Sequence, residues 1–299
     1  MTLIECVPNF SEGRRPEVVD EIVAAIAAVD GVSLLDRQSD PVHNRSVITF
    51  AGQDAAVAEG AFRGVAAAAR LIDLTAHEGA HPRMGAADVV PFVPLRGEDM
   101  PVCVDVAHAV GARVARDLGV PVYFYEDAAR RDDRRNLADV REGQFEGLRE
   151  AIARDADRAP DEGAPAVHPT AGATAVGARA PLIAYNIDLE SRDLALAQEI
   201  ARAIRERDGG LPKVKALGLA LDDCVQVSMN LTDFRVTSMQ DVFAAVQVHA
   251  VQAGVEIRRS EVVGLLPQDA LVGLARSTLK AAGFTSAQVL EARILDSLL

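Results

Sequence analysis

The sequence predicts an α/β protein of the α+β sandwich kind, made of two similar β-α-β-β-α-β halves with helices on one face of each sheet. Three observations carry that expectation. With 299 residues and 49% hydrophobic content, the chain can bury two cores of about 150 residues each. Strand-like and helix-like segments alternate along it, and the same order of segments starts again at Leu182. Before that restart, residues 156–174 (ADRAPDEGAPAVHPTAGAT) are so rich in proline, glycine and alanine that they read as an interdomain linker. The expected domains are therefore residues 1–178 and 179–299, alike in element order but not in sequence.

In the first half, a strand at Leu3 to Val7 leads to an amphipathic helix over about Glu17 to Val29. The turn Asp30-Gly31 ends that helix and opens a strand at Val32 to Leu35, which pairs naturally with Arg45 to Phe50. An alanine-rich helix, Asp54 to Leu71, is followed by a polar loop and the apolar strand Val89 to Leu95. A helix at about Val102 to Leu118 and a strand at Pro121 to Tyr125 are added to the core. The second half runs through strand Leu182 to Ile187, helix Leu194 to Arg207, strands Val214 to Ala220 and Cys224 to Leu231, helix Met239 to Ala253 and strand Val255 to Ile257. Helices at about Pro267 to Ala281 and Ser286 to Leu299 follow.

Composition narrows the function. A formal charge of −13, spread along the chain, argues against nonspecific nucleic-acid binding and against an anionic membrane surface. Runs such as Arg130-Arg131-Asp132-Asp133-Arg134-Arg135 alternate in sign and read as a solvated face. There is no run of 18 apolar residues, and the first ten residues resemble neither a signal nor a transit peptide, so a cytoplasmic protein is expected. Cys6, Cys103 and Cys224 are widely spaced without a CxxC pair and read as buried small hydrophobes.

The chemistry centres on His77-Glu78-Gly79-Ala80-His81-Pro82-Arg83-Met84-Gly85. It spells HExxH, but a zinc site of that kind needs both histidines on one helical face. Pro82 disfavours helix at His81, and Gly79 costs a helix interior roughly 1 kcal/mol. No metal is expected, and a zinc hydrolase is the weakest reading. His81 instead lies in a polar loop with Asp73, His77, Glu78, Arg83 and Asp88, where an imidazole can move protons near neutrality. In the second half, Gln226, Ser228, Asn230 and Thr232 share one strand face, opposite the apolar residues between them; they line either a solvent-facing surface or a cleft. The small residues of 163–172 would let backbone approach a ligand, with His168, Thr170 and Thr174 as polar groups.

Several blocks together resemble glutamate formimidoyltransferases, which occur alone in bacteria or fused to a cyclodeaminase in animals. They are ECVPNFSEG from Glu5, Asn44-Arg45, HPRMGAADVVPFVP from His81, VGARAPLIAYNIDL from Val176, KVKALGL from Lys213 and QVSMNLTDF from Gln226. The resemblance implies transfer of a formimino group from N-formimino-L-glutamate to tetrahydrofolate, in histidine degradation, by a cytoplasmic homodimer. It implies subdomains facing each other sheet to sheet around the substrates. His81 falls on the family's catalytic histidine. The family's folate-contacting loop maps onto Gly163 to Gly172, which includes His168 and Thr170, and Asn9, Asn44, Arg45, Arg83, Thr174 and Asn230 are the further candidates for substrate or folate contacts. Arg45, Arg83, Arg179, Lys213 and Lys215 are the cations available to grip carboxylates. Tetrahydrofolate is implied as co-substrate, and the expected partners are the small-molecule substrates and a second copy of the chain, with no nucleic acid and no membrane. The chain departs from the family where aromatic residues give way to Val167 and Ala171, and where an acidic partner of the histidine falls at Gln38, beside Asp36 and Asp40. A same-fold enzyme with another one-carbon donor or acceptor is the alternative those departures leave open, and a noncatalytic folate-binding module would require loss of His81. No cyclodeaminase segment is expected, so another polypeptide would complete the pathway.

Overall fold

Ile4, Cys6, Phe10, Ile48, Phe50, Val90 and Phe92 are wholly buried, and their period-two spacing builds one face of a seven-stranded sheet. A computed structural model describes residues 2–79, 82–95 and 99–293. The chain divides into two compact units, Met1–Ala180 and Pro181–Leu299.

In the first unit, β1 (Leu3–Cys6) and β2 (Asn9–Phe10) are successive pieces of one line of strand, interrupted at Val7-Pro8. Both pair antiparallel with β4 (Arg45–Gln53) on one side and β5 (Ala87–Pro94) on the other. The long β3 (Val32–Asp40) pairs with β4 at the edge. Beyond β5 the sheet turns parallel: β7 (Thr174–Ala178) lies beside β5, and β6 (Val122–Glu126) lies beside β7.

Helices α1 (Pro16–Ala27), α2 (Asp54–Leu71) and α3 (Met100–Leu118) cover the face that carries Phe10 and Phe50. In α1 the buried residues Val18, Val19, Ile22 and Ile26 follow helical spacing. Glycines in α2 allow close packing: a Cβ on Gly60 would stand 3.1 Å from the Phe50 ring, and one on Gly64 3.0 Å from Ile26. The opposite face has its own smaller core. There Met84, Val89, Tyr123, Tyr125 and Ala175 pack with Val140, Leu148 and Ile152 of the segment holding α4 (Leu137–Val140) and α5 (Gln144–Ala151). All eight residues of β5 are buried, as a strand covered on both faces requires.

The second unit contains β8 (Ile183–Leu189), α6 (Leu194–Ile204), β9 (Val214–Ala220), β10 (Val225–Leu231), α7 (Met239–Gln252), β11 (Ile257–Val263) and α8 (Gln268–Leu279). Its antiparallel sheet has the order β11-β8-β10-β9. In the first unit the corresponding strands run β5-β1-β4-β3, so the repeated element order yields a repeated sheet order.

Several expectations need correction. The stretch read as linker ends in a strand: Thr174 begins β7, and Tyr123 and Tyr125 beside it are buried. Arg134 is not solvated. It is 6% exposed at the side chain and pairs with Asp161 at 2.7 Å, while the charged residues around it remain at the surface. The strand placed at Val255 to Ile257 is β11, displaced toward the C-terminus. Its sequence IRRSEVV gives little hydropathy signal because most of this edge strand is exposed. Ser286–Gln288 form a single 3-10 turn rather than the start of a continuous helix, and the expected helix beyond 293 lies outside the described residues. The three cysteines are buried and free, as expected. No helix among the described residues is long and apolar enough to cross a membrane.

Candidate functional site

Four separate stretches of the first unit converge on a small recess lined by Phe10, Ser11, His43, Asn44, Arg45, His77, Arg83 and Asp88. Its outline begins with Ser11, which follows β2. The Ser11 hydroxyl donates to the carbonyl of Gly85 at 2.7 Å and its amide donates to Ala86 at 2.9 Å, fixing the C-terminal flank of the histidine segment. Gly13 then passes so close to the end of the β3–β4 hairpin that a side chain there would collide with the Asp40 carbonyl and the Arg45 backbone.

Asn44 ties these stretches together. It sits at φ 49°, a left-handed conformation that asparagine tolerates better than most residues. Its Oδ1 accepts from the Gly13 amide at 3.0 Å, and its Nδ2 donates to the Glu78 carbonyl at 2.9 Å. Its own carbonyl is 3.1 Å from Nε2 of His77. Gly79 is pressed against His43 and Asn44, where a Cβ would find no room. Residues 77–79 are irregular rather than helical, and His77 itself is extended at ψ 129°. The helical zinc motif is therefore absent there, and among the described residues no cluster of three or more His, Cys, Asp or Glu could hold a metal ion. His81 lies outside the described residues.

Arg83 holds the segment from the other side. Its Nε donates to Nδ1 of His77 at 3.1 Å, which makes the His77 ring the Nε2–H tautomer, and one terminal nitrogen donates to the His77 carbonyl at 3.2 Å. The two terminal nitrogens also grip the carboxylate of Glu146 at 2.6 and 2.9 Å. Deeper in, Asp88 is 3% exposed and accepts from the Met84 amide at 2.8 Å and from Arg141 at 2.5 Å. Burial, with Arg141 nearby, pushes the Arg45 guanidinium down to about 10.

The predicted contacts fall into groups. Asn44, Arg45 and Arg83 meet at the recess, and Asn9 stands beside it on β2, paired with Val47 and Val89. Its Nδ2 donates to Val7 at 2.9 Å, while its buried Oδ1 has no hydrogen-bond partner among the described residues. His168, Thr170 and Gly172 form a tight turn against the flank of the histidine segment. His168 and Gly172 exchange backbone hydrogen bonds, and Nδ1 of His168 accepts from the Ala171 amide at 3.0 Å. The Thr170 carbonyl accepts from Leu74, and Met84 accepts from Ala173. The His168 ring is thus engaged inside its own turn. Gly163 packs against Pro121 and Ala115 at the end of α3, outside the recess.

Thr174 faces the helix-side core, sharing a face of β7 with Val176, and is 0% exposed, so it does not present its hydroxyl to a ligand. Asn230 is exposed on β10 in the second unit, opposite Lys215 and Ala184. On the same strand face Gln226 is buried and donates to Asp188 at 2.8 Å, so this face is not uniformly solvated. The departures at Val167 and Ala171 also have a structural account: Ala171 is 2% exposed in the core, and Val167 packs against it from the edge. Gln38 donates to Asp36 at 3.1 Å, and Asp40 closes the hairpin turn onto His43.

Sequence reasoning missed Ser11, Glu146 and Arg141. Ser11 lies inside the quoted ECVPNFSEG block, whereas the two residues of the 141–146 stretch carried no signal beyond charge.

An α/β unit that gathers Arg45, Arg83 and the buried carboxylate of Asp88 around an irregular, histidine-bearing segment has the charged groups of a site for anionic ligands. The chain belongs to the formiminotransferase family. The model of the formiminotransferase domain's N-terminal subdomain matches residues 3–179, and that of the formiminotransferase domain matches residues 184–289. It is 45% identical over 296 residues to a glutamate formimidoyltransferase of Streptococcus pyogenes serotype M1, covering 98% of this chain and 99% of that one. To the protein of the same name from Thermoplasma acidophilum it is 47% identical over 298 residues, covering 98% of each. A formimidoyltransferase-cyclodeaminase of Sus scrofa is 46% identical over 281 residues, 91% of this chain and 52% of that protein.

Proposed function

We infer that this chain transfers the formimino group of N-formimino-L-glutamate to tetrahydrofolate, giving 5-formimino-tetrahydrofolate and L-glutamate in histidine degradation. The observation that carries the reading is kinship of 45–47% identity over 98% of the chain with two transferases of that name. The arginines around the recess support it, because both substrates are polycarboxylates and the protein as a whole is acidic.

His81 is the general base. It takes the proton from the folate ring nitrogen as that nitrogen attacks the formimino carbon. The same imidazole returns a proton to the glutamate nitrogen when the tetrahedral intermediate breaks the bond between its carbon and that nitrogen, while the former imino nitrogen stays on the transferred carbon. Asn44 and His77 act through position, by holding the backbone that leads to His81. Arg45 and Arg83 contact substrate carboxylates, with Asn9, Gly163, His168, Thr170, Gly172, Thr174 and Asn230 as the remaining binding candidates. For His168 the engagement of its ring within its own turn, and for Thr174 its complete burial, favour a supporting over a direct role. Residues 1–178 and 179–299 serve as the two subdomains of a cytoplasmic homodimer, and no metal takes part.

The test is release of glutamate by purified protein with both substrates and with each omitted in turn. Release that requires both establishes the reaction, and His81→Ala then lowers turnover about 10²- to 10⁴-fold with folding intact. Release without folate, or full turnover in the variant, contradicts the reading.

A further inference from the structure

The Arg83 guanidinium has an inner and an outer side, and its bonding partners differ between them. On the inner side, Nε and one terminal nitrogen are held by the ring and the carbonyl of His77. The outer, two-pronged edge is given to Glu146, on the first turn of α5. Burial within this pair is unequal: the Arg83 side chain is 11% exposed and that of Glu146 64%. A carboxylate arriving from water would therefore meet Arg83 on the side that Glu146 occupies, and Glu146 could return to water at little cost. An ion pair with one partner so exposed is weakened by the water that screens that partner's charge.

Two further features separate the carboxylate of Glu146 from the job of holding α5. The backbone of α5 is pinned independently, since the Phe145 amide donates to the Arg83 carbonyl at 2.9 Å. Phe145 and Leu148 are buried and hold the helix to the unit by packing. Gln144 adds a weaker amide contact, 3.5 Å from Arg83. The Glu146 carboxyl is thus a removable cap on a guanidinium that stays oriented without it.

We propose that Glu146 occupies the place on Arg83 that a carboxylate of the amino-acid substrate takes on binding, and so sets the affinity of the site for that substrate. This rests on Arg83 being a contact for a substrate carboxylate, as inferred above. Binding then exchanges one bidentate carboxylate for another. The fraction of molecules in which Glu146 holds Arg83 weakens the apparent affinity in proportion.

Glu146→Gln in the full chain keeps the size of the side chain and removes the competing charge. Its KM for N-formimino-L-glutamate should fall by about two- to sixfold, while its KM for tetrahydrofolate holds. The dissociation constant of L-glutamate, read by calorimetry without turnover, should fall in parallel, and Glu146→Asp should lie between the two. A donor KM and glutamate affinity that are unchanged or worse in Glu146→Gln overturn the proposal and make Glu146 a structural clamp. Arg83→Gln separates the two layers of inference. If that variant leaves donor KM and glutamate affinity untouched, the assignment of Arg83 fails whatever Glu146 does.

Discussion

Asn44→Ala should cost the first unit about 3 kcal/mol, a figure that follows from three losses at one residue. The bond from the Gly13 amide and the bond to the Glu78 carbonyl are each worth about 1 kcal/mol, the partners being confined next to a residue only 7% exposed. The backbone at φ 49° adds roughly 1 kcal/mol, because alanine cannot offer the local hydrogen bonding that makes this conformation tolerable for asparagine. Asn44→Asp keeps the acceptor for Gly13 and the tolerance for positive φ, so it should lose about 1–2 kcal/mol. Urea unfolding followed by far-UV circular dichroism gives the ranking, and hydrogen exchange at the Gly13 amide reads the lost bond directly. Should Asn44→Ala unfold within about 0.5 kcal/mol of the parent, with Gly13 still protected, the idea that one amide side chain joins three segments would be refuted.

Three further outcomes are expected. Asp161→Asn leaves Arg134 buried beside a neutral partner at a pair whose side chains are both 6% exposed, so it should cost about 3 kcal/mol and lower the thermal midpoint by about 6–12 °C in a melting experiment. Thr174→Val replaces a fully buried hydroxyl that has no partner among the described residues, and should be neutral or up to about 1 kcal/mol stabilising; a clear loss in denaturation would show that the hydroxyl is satisfied. Burial alone would raise the Glu12 carboxyl, but the Arg15 and Arg14 amides and the Arg15 guanidinium outweigh it and hold the group below its usual 4.5. Its stabilisation is present above about pH 4.5 and disappears as pH falls through the lower folded value. Stability curves of Glu12→Gln and the parent should therefore differ at neutrality and converge in acid.

Strong periodicity made the α2 and β9 segments readable from sequence, and both occupy the ranges expected of them. The segments read incorrectly are those in which tertiary surroundings supply what the sequence lacks. TAVGA forms β7 because β5 and β6 flank it and because Gly177 leaves room for the Tyr125 ring, not because small residues favour strands. Arg134 looked like surface charge until the fold placed Asp161 and the Tyr123 ring against it. At the recess, motif and resemblance singled out Asn44, Arg45 and Arg83. What they could not supply was the bonding between stretches far apart in the chain, such as Ser11 to Gly85 or Arg83 to Glu146. His77 stands out in the sequence as part of the motif that contains His81, yet its use as an acceptor for Arg83 depends on a loop path that no local pattern specifies.

The order of strands at one end of the first unit bears on how the chain comes off the ribosome. Strand β6 is made about fifty residues before β7, yet β7 is its ladder partner and separates it from β5. Until residue 178 emerges, β5 carries an open edge on that side and β6 waits without its neighbour. Closure of the parallel end is a late event that must bring distant segments together, the slow kind of contact in folding. A nascent or truncated chain that stops short of Thr174 would expose the edge of β5, whose apolar residues suit it to pairing with other chains. Synthesis past Ala178 is thus the point at which that edge of β5 can be covered.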